Sequence, residues 1–377
     1  MVQGKYLVDI VRIPVITASV ISVILWLKFA SGNGTAVARH AIVIITANTN
    51  GYLQACGCAA EQFGGLTKRA AVVRKLIEDA SVKGIPKAFV DGGNTADDDE
   101  RADVVLQVLE GLSCNAIAMG KSEWQLGWRF IKLAQARKLK VAGLNANLDA
   151  HNSSGSLPTV PVCQVVKVDE SLAIAISSIY ASERMSDEMM RGAINKVMSS
   201  AEANGANVVI LFDHIDGGKG MIDALKGVNV GEGKVTLVMV LGRVEMDVAE
   251  VDANMKMTVK ALRMPERSEV LRIELRNERG GRWRINATMH VARPDVKEDE
   301  HALKVVSEYY QRLQQRLLLR GLPSAKEWAE RKYATSDECK ECHPVAYRVW
   351  KGSKHAKAFE TLRMKQRLVS ECLRCHS

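Results

Sequence analysis

Near its carboxy terminus the chain twice spells C-x-x-C-H, as Cys339-Lys340-Glu341-Cys342-His343 and as Cys372-Leu373-Arg374-Cys375-His376. No other feature restricts the fold so strongly. Two thiols with two residues between them match the two vinyl groups of one porphyrin, and the histidine that follows is carried under the iron. This is the attachment signature of haem c. A four-cysteine zinc site competes with it, but zinc knuckles usually space their C-x-x-C pairs about 15–20 residues apart and need no histidine after each. With 8 histidines in 377 residues, two would fall there by chance with odds of roughly 1 in 2,000. The sequence therefore predicts two haem c groups. Cys339, Cys342, Cys372 and Cys375 would carry the thioethers, and His343 and His376 would ligate the irons.

Between the motifs runs His343-Pro344-Val345-Ala346-Tyr347-Arg348-Val349-Trp350-Lys351-Gly352-Ser353-Lys354-His355-Ala356-Lys357-Ala358-Phe359. Over about 45 residues this region resembles the multihaem c-type cytochromes related to the tetrahaem carrier of nitrifying bacteria, a small, mostly helical architecture. Their C-x-x-C-H-P-x-x-Y-x-x-W-x-x-S-x-H-A-x-A run supplies a histidine from a following helix. The resemblance implies that His355 is the distal ligand of the first haem iron; a surface histidine on a basic helix is the plainer alternative. Family members continue with further haem motifs, whereas Ser377 is the last residue here. The expectation is an incomplete reading frame. Otherwise the second iron takes its distal ligand from a distant histidine, a methionine or another subunit.

A net charge of +9 is spread along the chain, and haem propionates would offset part of it. Nucleic-acid binding is therefore not expected, while redox partner proteins, an anionic partner or a membrane surface remain open. At the amino terminus, Lys5 and Arg12 precede an apolar run from Ile13 to Leu27. That run falls short of the about 20 residues of a membrane helix and suits a signal sequence, with Ala36-Val37-Ala38 as a cleavage site; an uncleaved inner-membrane anchor is the other reading. Both imply export, to the periplasm or the cell surface.

From His40 onward, short apolar runs alternate with helical spacing. Strands are expected at 41–46, 87–90, 115–119, 141–144, 163–168, 172–177, 208–212 and 235–241. Helices are expected at 68–80, 101–112, 128–137 and 187–204. After Glu250 come consecutive strands at 255–263, 268–276 and 282–291, with a turn at Arg279-Gly280-Gly281 and a final helix over 302–319. This rhythm predicts an α/β core, with domains at 1–38 (signal or anchor), 39–325 and 326–377.

The order of segments over about 250 residues resembles the binuclear metallophosphatases of the 5′-nucleotidase type, a two-sheet sandwich flanked by helices. D-x-H-G corresponds to Asn48-Thr49-Asn50-Gly51, and the next helix opens Gly64-Gly65-Leu66-Thr67-Lys68-Arg69. D-x-G-D corresponds to Asp91-Gly92-Gly93-Asn94, G-N-H-E to Gly120-Lys121-Ser122-Glu123, and G-H-x-H to Gly242-Arg243-Val244-Glu245. A later histidine corresponds to His214. Such enzymes hold two divalent ions about 4 Å apart. Here Asn48 and Asn94 stand for the two aspartates, Asn50, Ser122, Arg243 and Glu245 for four histidines, and Lys121 for an asparagine. Only His214 survives. Divalent cations need anionic oxygen ligands, so the resemblance implies a retained scaffold with a dead centre. A rearranged metal site at His214, Glu123, Glu245 and Asp213 is the alternative.

Cys56-Gly57-Cys58 follows the first strand and could form a strained, redox-active bridge; structural thiols or bridges to Cys114 or Cys163 are the plainer readings. Taken together, the sequence predicts an exported electron carrier more than a hydrolase. A phosphoesterase with a cytochrome appendage and a haem oxidoreductase acting on a small nitrogen or sulfur compound are the alternatives.

Overall fold

Apolar strands alternating with helices pair in parallel and bury both faces, and two stacked sheets result. The computed structural model describes residues 39–55, 63–146, 160–215, 221–225, 235–242, 250–251, 257–278, 283–320, 336–365, 367–369 and 372–373. In chain order come β1 (Arg39–Thr46), α1 (Leu66–Val82), β2 (Lys87–Asp91), α2 (Asp99–Gly111), β3 (Ala116–Ala118), α3 (Lys121–Leu126), α4 (Trp128–Ala136) and β4 (Val141–Ala142). Then follow β5 (Leu144–Asn145), β6 (Gln164–Lys167), β7 (Ala173–Ala181), α5 (Asp187–Ala203), β8 (Val208–Ile215), α6 (Met221–Leu225) and β9 (Leu237–Gly242). Last in this half come β10 (Glu250–Val251), β11 (Thr258–Arg263), β12 (Glu269–Asn277), β13 (Trp283–Val291) and α7 (Glu300–Arg320).

One sheet runs β13-β12-β1-β2-β3-β4, and the other β10-β11-β9-β8-β7-β5 with β6 beside β7. β1 is the hinge of the first sheet, parallel to β2 and antiparallel to β12, with Ile42 opposite Lys87 and Glu274. β7, β8 and β9 are parallel, and Ile210 sits between Ile176 and Met239. Between the sheets lies a core of Val43, Ile45, Val90, Ile210, Phe212 and Ile273. The first sheet's outer face packs Val73, Leu106, Phe130 and Val306 of α1, α2, α4 and α7. The second packs Ile194 and Val197 of α5. Helix starts follow capping chemistry: Asp98 accepts the Arg101 N–H at 2.8 Å and Ser186 the Met189 N–H at 3.2 Å.

The structure departs from the sequence reading at 141–144, expected to be one strand. β4 pairs with β3 in one sheet and β5 with β7 in the other. The chain changes sheets at Gly143, where an added Cβ would stand 2.6 Å from Ser178 Oγ and 3.2 Å from Met119 Cβ. Only glycine fits that crossing. The hairpin is as expected, paired from Glu269 with Val291 to Asn277 with Trp283. Its turn residues, the signal or anchor at 1–38 and the boundary near 325 lie outside the described residues.

The remaining segment holds α8 (Ser336–Cys342), α9 (Pro344–Lys351), a 3-10 turn (His355–Lys357) and α10 (Ala358–Met364). No helix among the described residues is long and apolar enough to cross a membrane.

Phe212 is fully buried between the sheets, and its ring closes on Gly92, where an added Cβ would be 2.5 Å away. Phe212→Ala should therefore destabilise the domain by about 3–5 kcal/mol. A urea titration would show this as a lower midpoint with little change in slope.

Candidate functional site

The motif positions converge where β1, β2, β3 and β8 end. Three of their residues, Asn48, Asn50 and Asn94, have left-handed backbone, with φ of 52°, 48° and 56°. Asparagine and aspartate tolerate this conformation better than other residues with a Cβ. Asparagine therefore suits these loop positions and places no charge there.

The amides form a closed network. Asn94 Nδ2 donates to Asn48 Oδ1 at 2.9 Å and lies 3.3 Å from His214 Nδ1. The other nitrogen of His214, Nε2, is 2.6 Å from the Gly92 carbonyl. A carbonyl only accepts, so Nε2 carries the proton and Nδ1 presents its lone pair to the Asn94 amide. Asn94 Oδ1 accepts the Ser122 N–H at 3.3 Å. An N–H thus stands where a carboxylate would offer a lone pair to a cation.

Glu123 is fully buried, and it faces backbone. Its Oε2 accepts the N–H groups of Asn94 and Gly120, both at 2.8 Å, and its Oε1 accepts Thr95 N–H and Oγ1, both at 2.7 Å. Asp213 Oδ1 accepts the Ile215 N–H at 3.1 Å. Arg243 and Glu245 lie outside the described residues. Among the described residues, no three His, Cys, Asp or Glu side chains come together as a metal site would need.

The sequence reading noticed Arg69 and Asp91 as motif letters and missed their role. Both are buried. Arg69 donates to the Ala47 carbonyl at 2.9 Å and to Thr49 Oγ1; Asp91 accepts Thr46 Oγ1 at 2.6 Å and the Gly93 N–H at 2.9 Å. Burial pushes the Asp91 carboxyl up to about 6, against the pull of Arg69 and of those hydrogen bonds. Burial likewise lowers the Arg69 guanidinium, and Asp91 opposes that shift. A signal was present: Arg69 falls on the apolar face of α1, with Leu66, Ala70 and Val73.

The haem-type residues lie elsewhere. Cys339 and Cys342 are one helical turn apart on α8, both exposed with free thiols. His343 follows as the residue before α9, and its N–H donates to the Cys339 carbonyl at 2.9 Å. His355 lies exposed in the 3-10 turn. Cys372 is half-buried, while Cys375, His376, Cys56 and Cys58 lie outside the described residues. Cys114 and Cys163 carry free thiols, Cys114 bonded to the Ala116 carbonyl and Cys163 to Ser200 Oγ. Burial raises both thiols, so neither is an activated nucleophile.

Residues 338–377 match the family described as cytochrome c554 and c-prime. The rest of the chain is similar in structure to a 5′-nucleotidase precursor from Thermus thermophilus, at 15% identity and a TM-score of 0.54 over 73% of this chain and 59% of that one. This chain joins a segment similar to cytochrome c554 to a domain with the metallophosphatase fold. The Thermus thermophilus sulfate thiohydrolase SoxB matches at 14% identity and a TM-score of 0.54, over 74% of this chain and 61% of that one. The calcineurin-like phosphoesterase YfkN of Bacillus subtilis matches at 13% and 0.51, over 73% and 98%. The chain thus spans about three-fifths of the first two. No match is found among curated proteins. The fold class expected from the sequence, for the metallophosphatase-fold domain and for the small helical c554-like segment, is the one observed.

The Asp91 carboxyl gives the metallophosphatase-fold domain a pH signature. Its folded pKa lies above the ordinary value of 3.8, so the folded state keeps a proton that the unfolded chain has already lost. This group's contribution is fully present below about pH 4, falls as pH rises to about 6, and stays lost above that. The loss is roughly 3 kcal/mol. Asp91→Asn should remove this slope, so that the stability gap moves in the variant's favour between pH 4 and 7. Urea midpoints of both proteins across that range would check it.

Proposed function

We propose that this chain is an exported c-type cytochrome that transfers electrons to and from redox partner proteins. It carries two haem c groups on its c554-like segment and a metallophosphatase-fold domain that docks partners and no longer hydrolyses. One observation carries this reading: among the described residues, the helices around the first motif have no core of their own. α8, α9 and the 3-10 turn bury none of their residues. Val345, Val349 and Met364 stay 65%, 71% and 70% exposed. So much apolar surface beside two exposed thiols on one helix face fits a flat apolar group held in place there.

On this reading, the Cys339 and Cys342 thiols would hold the first haem covalently, and His343 and His355 would ligate its iron. Cys372, Cys375 and His376 serve the second haem in the same way. Bound haem would supply one-electron chemistry at iron, with two imidazoles from the chain to ligate the first one. The protein holds the thiols one turn apart and orients His343 through the Cys339 carbonyl.

The strand-end cluster supports loss of hydrolysis. The Asn94 amide aims N–H at Asn48 and His214, and the Glu123 carboxylate is taken up by Asn94, Thr95 and Gly120. Neither offers a metal ion an anionic ligand.

Made in a host that matures c-type cytochromes, the full chain should show low-spin c-type bands and a pyridine haemochrome ratio of two haems per chain. His355→Ala should add one carbon-monoxide-binding haem per chain relative to wild type. A colourless protein with zinc on its thiols would overturn the proposal. With nucleoside monophosphates and manganese, no turnover above the blank is expected. Turnover that His214→Ala abolishes would restore the phosphoesterase reading.

A further inference from the structure

A sheet edge exposes unpaired N–H and C=O groups, and proteins blunt such edges with short strands, proline, bulges or inward-pointing charge. Among the described residues, three of the four edges here are blunted by length. β4 and β10 have two residues each, and the outer edge of β7 carries only β5 and β6, of two and four residues. β13 ends the first sheet with nine, Trp283–Val291. It carries none of the other devices. Every one of its residues pairs with one of β12, from Trp283 with Asn277 to Val291 with Glu269, so no bulge interrupts it. The strand holds no proline or glycine. Its inward-facing Trp283, Ile285, Ala287 and Met289 are apolar, and only the first is fully buried. Val291, next on that face, is 39% exposed. The core is unfinished along this edge.

The strand also complements itself. Laid antiparallel to a second copy, all nine residues overlap when Ala287 faces its equivalent. Ile285 then stands opposite the partner's Met289, and Trp283 opposite the partner's Val291. On the outer face, Asn286 stands opposite the partner's Thr288, and Arg284 opposite the partner's His290. Apolar residues meet apolar ones, and polar residues meet polar ones. Arg284 meets no like charge, because burial, Arg272 and Lys75 hold His290 below its ordinary range and its imidazole stays uncharged at neutral pH. Residues opposed in this register are an even number apart along the strand. Those whose N–H and C=O point outward therefore face each other, which gives about eight to ten hydrogen bonds between the copies.

We infer that β13 is the interface of a two-fold dimer, in which the six-stranded sheets of two copies join edge to edge. The contact is isologous, so it closes on itself and leaves neither β13 edge open to further growth. Pairing also covers the exposed flank of Ile285, Ala287 and Met289. The dimer goes beyond the electron-carrier reading and does not depend on it.

Sedimentation of the full chain over a concentration series tests it. Wild type should pass from monomer to dimer, and the amides of residues 283–291 should exchange hydrogen more slowly as it does. Asn286 and Thr288 are exposed, and each faces the other across the two-fold axis. Asn286→Lys/Thr288→Lys sets like charges face to face at both places and should weaken the dimer about tenfold or more. Asn286→Lys/Thr288→Glu sets opposite charges there and should restore it. A wild-type chain that stays monomeric would overturn the dimer and leave this edge to an extended peptide. A dimer equally tight in all three proteins would put the contact on another face and overturn β13. So would a mixed-charge variant as weak as the one with two lysines. Haem content bears on none of these outcomes.

Discussion

Three buried charges hold the strand ends in shape: Arg69, Asp91 and Glu123, with relative exposures of 1%, 0% and 0%. A buried charge is tolerated only when hydrogen bonds replace its lost hydration, and removing a partner from such a group typically costs about 3–5 kcal/mol. Here the partners are mainly the loops themselves. Arg69 holds the loop after β1 through Ala47 and Thr49. Asp91 holds the turn after β2 through Gly93, and Glu123 ties that turn to the start of α3. These contacts separate the framework of the loops from the asparagine side chains, which take no part in them.

The asparagines complete that separation. At φ near +50° a residue with a Cβ is strained, and asparagine is among the few tolerated there. Alanine or serine at position 48 or 94 would stress the loops, whereas asparagine fits them, and at position 94 it presents an amide donor. The donor then requires acceptors, and Asn48 Oδ1 and His214 Nδ1 supply them. His214 is held by the same exchange, since its Nε2 is committed to the Gly92 carbonyl.

Most of the alternation was legible, because period-two and period-3.6 apolar patterns report which faces are buried. What lay beyond the pattern was tertiary. Val141–Leu144 reads as one apolar run, and nothing local in it says that its halves belong to different sheets; Gly143 is the sole hint. α3 escaped notice because six residues are less than two turns and give no period to detect. In the strand-end site, the motif letters were legible and their partners were not: the Asn94–His214 contact joins the loop after β2 to β8, far apart in the chain. The burial of Arg69 was readable from its place on the apolar face of α1. The seating of Arg367–Val369 was not, since one apolar pair beside a basic residue has no distinguishing pattern.

The c554-like segment sets two regimes of stability side by side. Burying Leu368 and Val369 is worth about 1.5–3 kcal/mol each, and the Arg367–Tyr310 stack adds about 0.5–2 kcal/mol. That is enough to hold a short stretch of chain against α7. Upstream, α8, α9 and α10 have 7, 8 and 7 residues. Helices below about 12 residues are marginal in water, and their stability in proteins comes from burying an apolar face. Apart from Leu362 these helices bury none. Their one internal cluster sets Tyr347 against Trp350 at 5.6 Å, with Lys340 and Lys351 over the tyrosine ring. Surface contacts of that kind contribute about 0.5–1.5 kcal/mol each, too little to order three helices. Among the described residues no apolar surface covers these helices, and the thiols of Cys339 and Cys342 lie one turn apart on α8, on the face where a covalently attached apolar group would be held.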